Sequence, residues 1–313
     1  MSNLLKSALT CLSIIALVQP LFAESEEEMN RARKTLGVIW RIATLQGSLG
    51  ILLLAGVALH AQQTPEELEK LARNPMGDAI KIPFTESINF DAGPYGRISN
   101  SLQILPIIPF EIAGDWLLIP RIVATFPAYE PEVAQASGGY TGLGDTVATV
   151  FLTPAHTGLV VWGVGPSLLI PTATDTSTGA GKWGLGPSFA VVVQPSWGSG
   201  YAVVQNIWSI AGNSARTSVN ELELETSFSY NLPNGWYLLT APTIDSDWTQ
   251  SSGDRWVVPF GGGIGRTRKI AKQDVDWNIA LYSNVIRPDR EPYPKWQISL
   301  QFTLLYPRGG RAK

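Results

Sequence analysis

Residues 296–306 read WQISLQFTLLY. The even positions, Trp296, Ile298, Leu300, Phe302, Leu304 and Tyr306, are apolar or aromatic, whereas Gln297, Ser299, Gln301 and Thr303 between them are polar. A helix would scatter these residues around its surface; a strand, whose side chains alternate between two faces, sorts them. Residues 219–232, VNELELETSFSYNL, repeat the pattern more sharply, with Leu222, Leu224, Phe228 and Tyr230 on one face and Glu221, Glu223, Glu225, Ser227 and Ser229 on the other. Val275, Trp277, Ile279 and Leu281 alternate with Asp276, Asn278, Ala280 and Tyr282 in the same way. In 183–193 the alternation is of size: Trp183, Leu185, Phe189, Val191 and Val193 against Gly184, Gly186, Ser188 and Ala190.

Working outward from these stretches, twelve such segments follow from residue 80: 80–91, 101–111, 116–126, 142–153, 158–171, 183–194, 200–210, 218–231, 235–245, 255–265, 275–286 and 295–306. Their connections alternate. Short ones fall at 112–115, 153–157, 195–199 and 232–235, longer polar ones at 127–141, 172–182 and 246–254, and the basic stretch Arg266 to Asp274 is long for its side. An even number of long alternating strands with short turns at one end is the pattern of an all-β chain closed into one antiparallel transmembrane barrel, short turns periplasmic and longer loops external. A soluble sandwich also alternates, but its strands are shorter, about five or six residues. Aromatic residues at strand ends (Trp116, Trp183, Tyr201, Trp236, Trp256, Trp296, Tyr306) mark an interfacial girdle.

Composition agrees. Of 313 residues 45% are hydrophobic and only 16% charged, and a net charge of −3 leaves no basic field for nucleic acid. The one cysteine, Cys11, and the two histidines, His60 and His156, exclude a disulfide scaffold and most metal sites. Residues 1–61 read as a leader in which two export signals follow one another; the expected start is Met29, with cleavage after Ala61. A retained anchor over 42–61 is the rival reading. Residues 62–79 are expected to hold a short periplasmic helix, capped by Thr64 and started by Pro65, that acts either as a plug or as a plain lead-in. The barrel spans 80–306 and a tail spans 307–313.

The segments NPMGDAIKIPF (74–84), LQILPIIPF (102–110), GLGDT (142–146), VVWGVGPSLLIPTATD (160–175), GAGKWGLGPS (179–188), NIWSIAG (206–212) and QISLQFTLLYP (297–307) resemble the MetA-pathway-of-phenol-degradation family of outer-membrane barrels, some of whose members carry a neuromedin U label. The resemblance covers about residues 70–307. It implies an outer-membrane barrel that helps small aromatic or apolar compounds across. Seven residues after Tyr306 depart from the usual aromatic end of such a barrel.

Because a charge facing lipid near midplane costs on the order of 2–4 kcal/mol for Arg or Lys, strand parity assigns the polar faces to the lumen. The expected lining is Gln103, Arg121, Asp145, Glu221, Glu223, Glu225, Asp276 and Asn278. The three glutamates form either a cation-favouring constriction or a solvated wall with basic partners such as Arg255, and Arg121 can pair with Asp145 on the next strand. Leu105, Ile107, Ile119 and Val123 would contact an apolar solute. Asp175 and Asp247 match no calcium loop, and the glycine runs 142–144 and 261–265 lack the Gly-Lys-Ser/Thr of a phosphate loop. His156 in a short turn gives no catalytic base a place near the outer rim. The expectation is therefore a channel or transporter for small molecules, with no catalytic residue, metal or cofactor. Its expected partners are membrane lipid, a small-molecule solute and the barrel-assembly machinery. A structural or adhesive barrel is the alternative, ahead of a lipid-modifying enzyme.

Overall fold

A computed structural model describes residues 65–112, 115–131, 137–155, 158–270, 273–288 and 293–307. The leader, Met29, the cleavage point, His156 and residues 308–313 lie outside these. Among the described residues one α-helix, α1 (Pro65–Arg73), precedes twelve barrel strands. They are β1 (Ala79–Ala92), β2 (Arg97–Ile104, resumed at Phe110–Ile112), β3 (Trp116–Pro131), β4 (Thr146–Pro154), β5 (Val160–Ile170) and β6 (Lys182–Val193). There follow β7 (Gly198–Gly212), β8 (Asn220–Asn231), β9 (Trp236–Thr240 and Thr243–Asp247), β10 (Trp256–Ile270), β11 (Gln273–Ile286) and β12 (Trp296–Pro307). Each pairs antiparallel with its chain neighbours, and β12 closes the ring on β1 from Ala79↔Pro307 to Phe90↔Trp296. Closure leaves no open edge.

The departures from the expected segments have local causes. The stretch 101–111 breaks at Leu105–Pro109, where Pro106 and Pro109 supply no N–H, and Ile107 keeps only isolated bridges to Lys81 and Arg121. Strand β9 breaks at Ala241–Pro242 for the same reason, yet its pairing register with β8 is the same on both sides of the break. The Ala241 amide is taken up by the Tyr282 hydroxyl at 2.9 Å. Within the long basic stretch Arg266–Asp274, residues 266–270 and 273–274 are instead strand: β10 and β11 stay paired as far as Ile270↔Gln273. Gly142–Asp145 precede β4, which begins at Thr146.

Facing follows from register. Leu185, Phe189, Phe228, Leu238, Ile279, Leu281 and Leu300 are exposed on the outer surface, the apolar band a lipid-facing wall needs. Near the short-turn end Trp116 meets Trp162 and Trp236 meets Trp277; near the long-loop end Trp248 meets Trp256. Tyr201 leaves the expected girdle: paired with Val192 and Ser227, it points inward and packs against the buried core. Glycine at 186 is required by backbone approach, since a Cβ there would fall on the Asn206 carbonyl.

Candidate functional site

The interior has three levels. At the short-turn end it is closed. There α1 lies against β7, β10, β11 and β12, and Met76 sits at the centre of a buried cluster with Ile107, Ile119, Phe151, Val192 and Val203. The segment is tied at three places. Arg73 donates to the Tyr237 hydroxyl and to the Asp276 carboxylate, with its guanidinium over the Tyr237 ring at 3.9 Å. Tyr237 and Thr267 also donate to Asp276, at 3.0 and 2.7 Å. Lys81 of β1 donates to the Leu71 and Asn74 carbonyls, a cation placed on the helix C-terminus. Asn74 donates to Gln194, which in turn donates to the Lys70 carbonyl. Arg73 and Lys81 are buried, at 7% and 1% exposure.

The middle level is polar. Arg121 on β3 donates through Nη2 to both oxygens of Glu225 on β8, at 3.0 and 2.9 Å. Five strand steps of twelve separate β3 from β8, so the pair crosses the lumen close to a diameter. On one side of it the wall is knitted shut. Thr149 and Ser167 are in hydroxyl contact, as are Ser167 and Ser188; Thr149 and Ser167 donate to Gln205 Oε1, and Gln205 donates to Glu223 at 2.8 Å. On the other side Asn278 donates to Gln301 and Gln301 to Thr85, at 2.9 and 3.2 Å.

Toward the long-loop end the wall is acidic. Glu221 stands opposite Asp247 and Glu223 opposite Asp245 across the β8–β9 pairing, like charges on facing positions. Glu221 and Asp245, and Gln103 on the far wall, are exposed although they face inward. Water therefore reaches the inner surface from the long-loop end down to the level of the Arg121–Glu225 pair.

Of the expected lining, Gln103, Arg121, Glu221, Glu223, Glu225, Asp276 and Asn278 lie on inward faces, Asp276 within the floor rather than along an open path. Asp145 does not. It precedes β4, and its carboxylate accepts the Ala173 and Ala180 amides at 3.1 and 2.7 Å, which fixes the β5–β6 loop. With Thr174, Asn213 and Arg216 it lines a cavity of about 180 Å³ among the long loops. Arg121 thus pairs with Glu225 rather than Asp145. Arg255 is no partner of the glutamates, since its Nε donates to the Gln250 carbonyl and its guanidinium lies 5.9 Å from the Trp248 ring centroid. Asp175 and Asp247 accept the amides two residues on, Ser177 and Thr249, as ordinary turn residues. Ile107 and Ile119 are sealed beneath Met76. Arg73, Lys81, Tyr237 and Asp245 were not singled out by sequence; a basic residue near the helix end opposite a lone inward aspartate was the available signal for the first.

No family model matches the chain, and no curated protein does. Among solved structures, an outer membrane channel from Pseudomonas putida F1 superposes with a TM-score of 0.55 at 16% identity, over 78% of this chain and 100% of that one. The monoaromatic hydrocarbon channel CymD gives 0.41 at 8% identity, covering 82% and 96%. The outer membrane phospholipase A of Escherichia coli gives 0.40 at 10%, covering 76% and 97%. The first likeness shows the fold, that of an outer-membrane β-barrel; the weaker two add nothing to it.

Proposed function

We propose that the chain is an outer-membrane channel, exported by its leader and inserted by the barrel-assembly machinery, that admits small molecules by passive diffusion and prefers cations. One observation carries this reading: charged and polar inner-wall residues, Glu221, Asp245 and Gln103, are open to water above a plugged floor. A barrel that served only as a scaffold has no need of a wet, charged interior. In this reading the short turns and α1 are periplasmic, and the lining is Gln103, Arg121, Glu221, Glu223, Glu225 and Asn278. Stacked acids concentrate cations at the mouth, the Arg121–Glu225 pair limits the cross-section, and α1 must shift for a solute to leave. Aromatic or apolar solutes, implied by the family resemblance, would find Leu105 and Val123 above the sealed cluster.

The closed floor favours a second reading, a barrel that conducts nothing. Single-channel recording on the refolded chain starting at Gln62, under a salt gradient, separates the two. Discrete cation-preferring steps support the channel. Their absence, both from the folded chain and from the same chain lacking residues 62–78, overturns it.

A further inference from the structure

The hairpin formed by β10 and β11 sorts its charges by face. Asp276 and Asp274 point inward, where Arg73 and Lys269 pair with them, Lys269 at 3.4 Å. Arg266 and Arg268 lie on the outer face. Arg266 stands between Trp236 of β9 and Trp277 of β11, and Arg268 stands opposite Val275. The Arg266 guanidinium lies 5.0 Å from the Trp236 ring centroid, and that ring meets Trp277 edge-on at 5.5 Å. Arg266 Nε donates to the Asn234 carbonyl at 3.3 Å. Among the described residues no carboxylate pairs with either arginine.

At the same end of the barrel the Trp116–Trp162 pair has no cation over either ring among the described residues. Two guanidiniums two positions apart on one face remain charged at any working pH. The tryptophan pair fixes their depth at the membrane–water boundary, the layer in which lipid phosphates lie. Stacking on Trp236 and the bond to Asn234 hold Arg266 in place before any ligand arrives, which lowers the ordering cost of binding. A phosphate oxygen pair matches the fork of a guanidinium.

We propose that the outer face of this hairpin docks the headgroup phosphate of an anionic phospholipid of the periplasmic leaflet, with Arg266 and Arg268 on the phosphate and Trp236 and Trp277 flanking the glycerol region. The proposal rests on the membrane placement given above and is independent of conduction, so a barrel that carries no current leaves it standing.

Native mass spectrometry of the mature chain, released from micelles doped with equal amounts of phosphatidylglycerol and phosphatidylcholine, tests it. Phosphatidylglycerol should be retained about twentyfold over phosphatidylcholine, the product of two contributions of about 1 kcal/mol each. Each arginine removed should lower that preference about fivefold, so Arg266→Gln with Arg268→Gln abolishes it, while Lys269→Gln on the inner face leaves it unchanged. Should the double variant fail to give a heat-modifiable barrel, Arg268→Gln alone, at an exposed position, carries the test with a fivefold loss. Equal retention of the two lipids by the native chain overturns the proposal. Undiminished preference in the arginine variants does so too, as does binding of inorganic phosphate with no lipid retained.

Discussion

Arg121 and Glu225 lie 104 residues apart in sequence and face each other across the barrel, joined by two hydrogen bonds of 3.0 and 2.9 Å. The pair is a strut as well as a charge balance. Arg121 is 5% exposed and Glu225 21%, so removing the arginine strands a carboxylate in a partly wet lumen. Arg121→Met should lower stability by about 2 kcal/mol, less than the roughly 3–5 kcal/mol of a fully buried pair, and raise unit conductance by opening the cross-section. Replacing both residues by methionine should restore part of the stability while keeping the larger conductance. Denaturant midpoints and single-channel amplitudes check this; unchanged amplitude in both variants would show that the pair does not limit the path.

The floor depends on Asp276, which receives Arg73, Tyr237 and Thr267 together. Asp276→Asn removes the charge that holds Arg73 while leaving the strand pairing intact. Amides of residues 65–78 should then exchange faster by roughly tenfold or more, as loss of about 1.5–3 kcal/mol from a charged hydrogen bond implies, with no change in β5–β8. Exchange that accelerates equally throughout would assign Asp276 to barrel stability instead. Where the chain conducts, longer open times accompany the faster exchange.

The alternation that revealed the barrel is a contrast between lipid and water, and it holds where the interior is wet. Glu221, Glu223 and Glu225 against Leu222 and Leu224 could be sorted because one face meets hydrocarbon and the other a solvated lumen. Nearer the floor that contrast disappears: Ile119, Phe151, Val192 and Leu305 face inward at 0–1% exposure, because α1 and Met76 turn the lumen into a packed core. Parity therefore could not show that Tyr237 points inward with Asp276. The bonds of Asp145 were hidden for another reason: its carboxylate accepts amides of the β5–β6 loop, Ala173 and Ala180, which lie 28 and 35 residues away in the chain. The partner of Arg121 was hidden because it is fixed by barrel closure, a relation between strands five steps apart that no local window contains.

Glycines in the wall report curvature rather than chemistry. At Gly186 a Cβ would fall on the Asn206 carbonyl oxygen, and at Gly165 on that of Val150, whereas Gly253 meets nothing within 4 Å. Gly186→Val should cost more than about 2 kcal/mol, the range of overpacked sites, and lower the yield of refolded, heat-modifiable barrel. Gly253→Ala should refold like the native chain. Equal yields from the two variants would mean that the β6–β7 spacing relaxes without cost.

Four acids on β8 and β9 lie opposite one another, Glu221 with Asp247 and Glu223 with Asp245, and of these four Glu223 alone, among the described residues, takes a lumen hydrogen bond, from Gln205. Asp247 is committed to its own turn through Thr249 and Gln250. The charge available to a passing ion therefore rests on Glu221, Glu223 and Asp245. Neutralising these three as Glu221→Gln, Glu223→Gln and Asp245→Asn should move the zero-current potential under a salt gradient toward zero, reducing cation preference at least several-fold. The effect should shrink at 1 M salt, where screening acts over about 3 Å instead of the 10 Å of 0.1 M. Glu225→Gln should change conductance more than selectivity, since that carboxylate is already neutralised by Arg121. A triple variant with unaltered selectivity would move the selecting charge off this wall, to the residues that hold α1 in the floor.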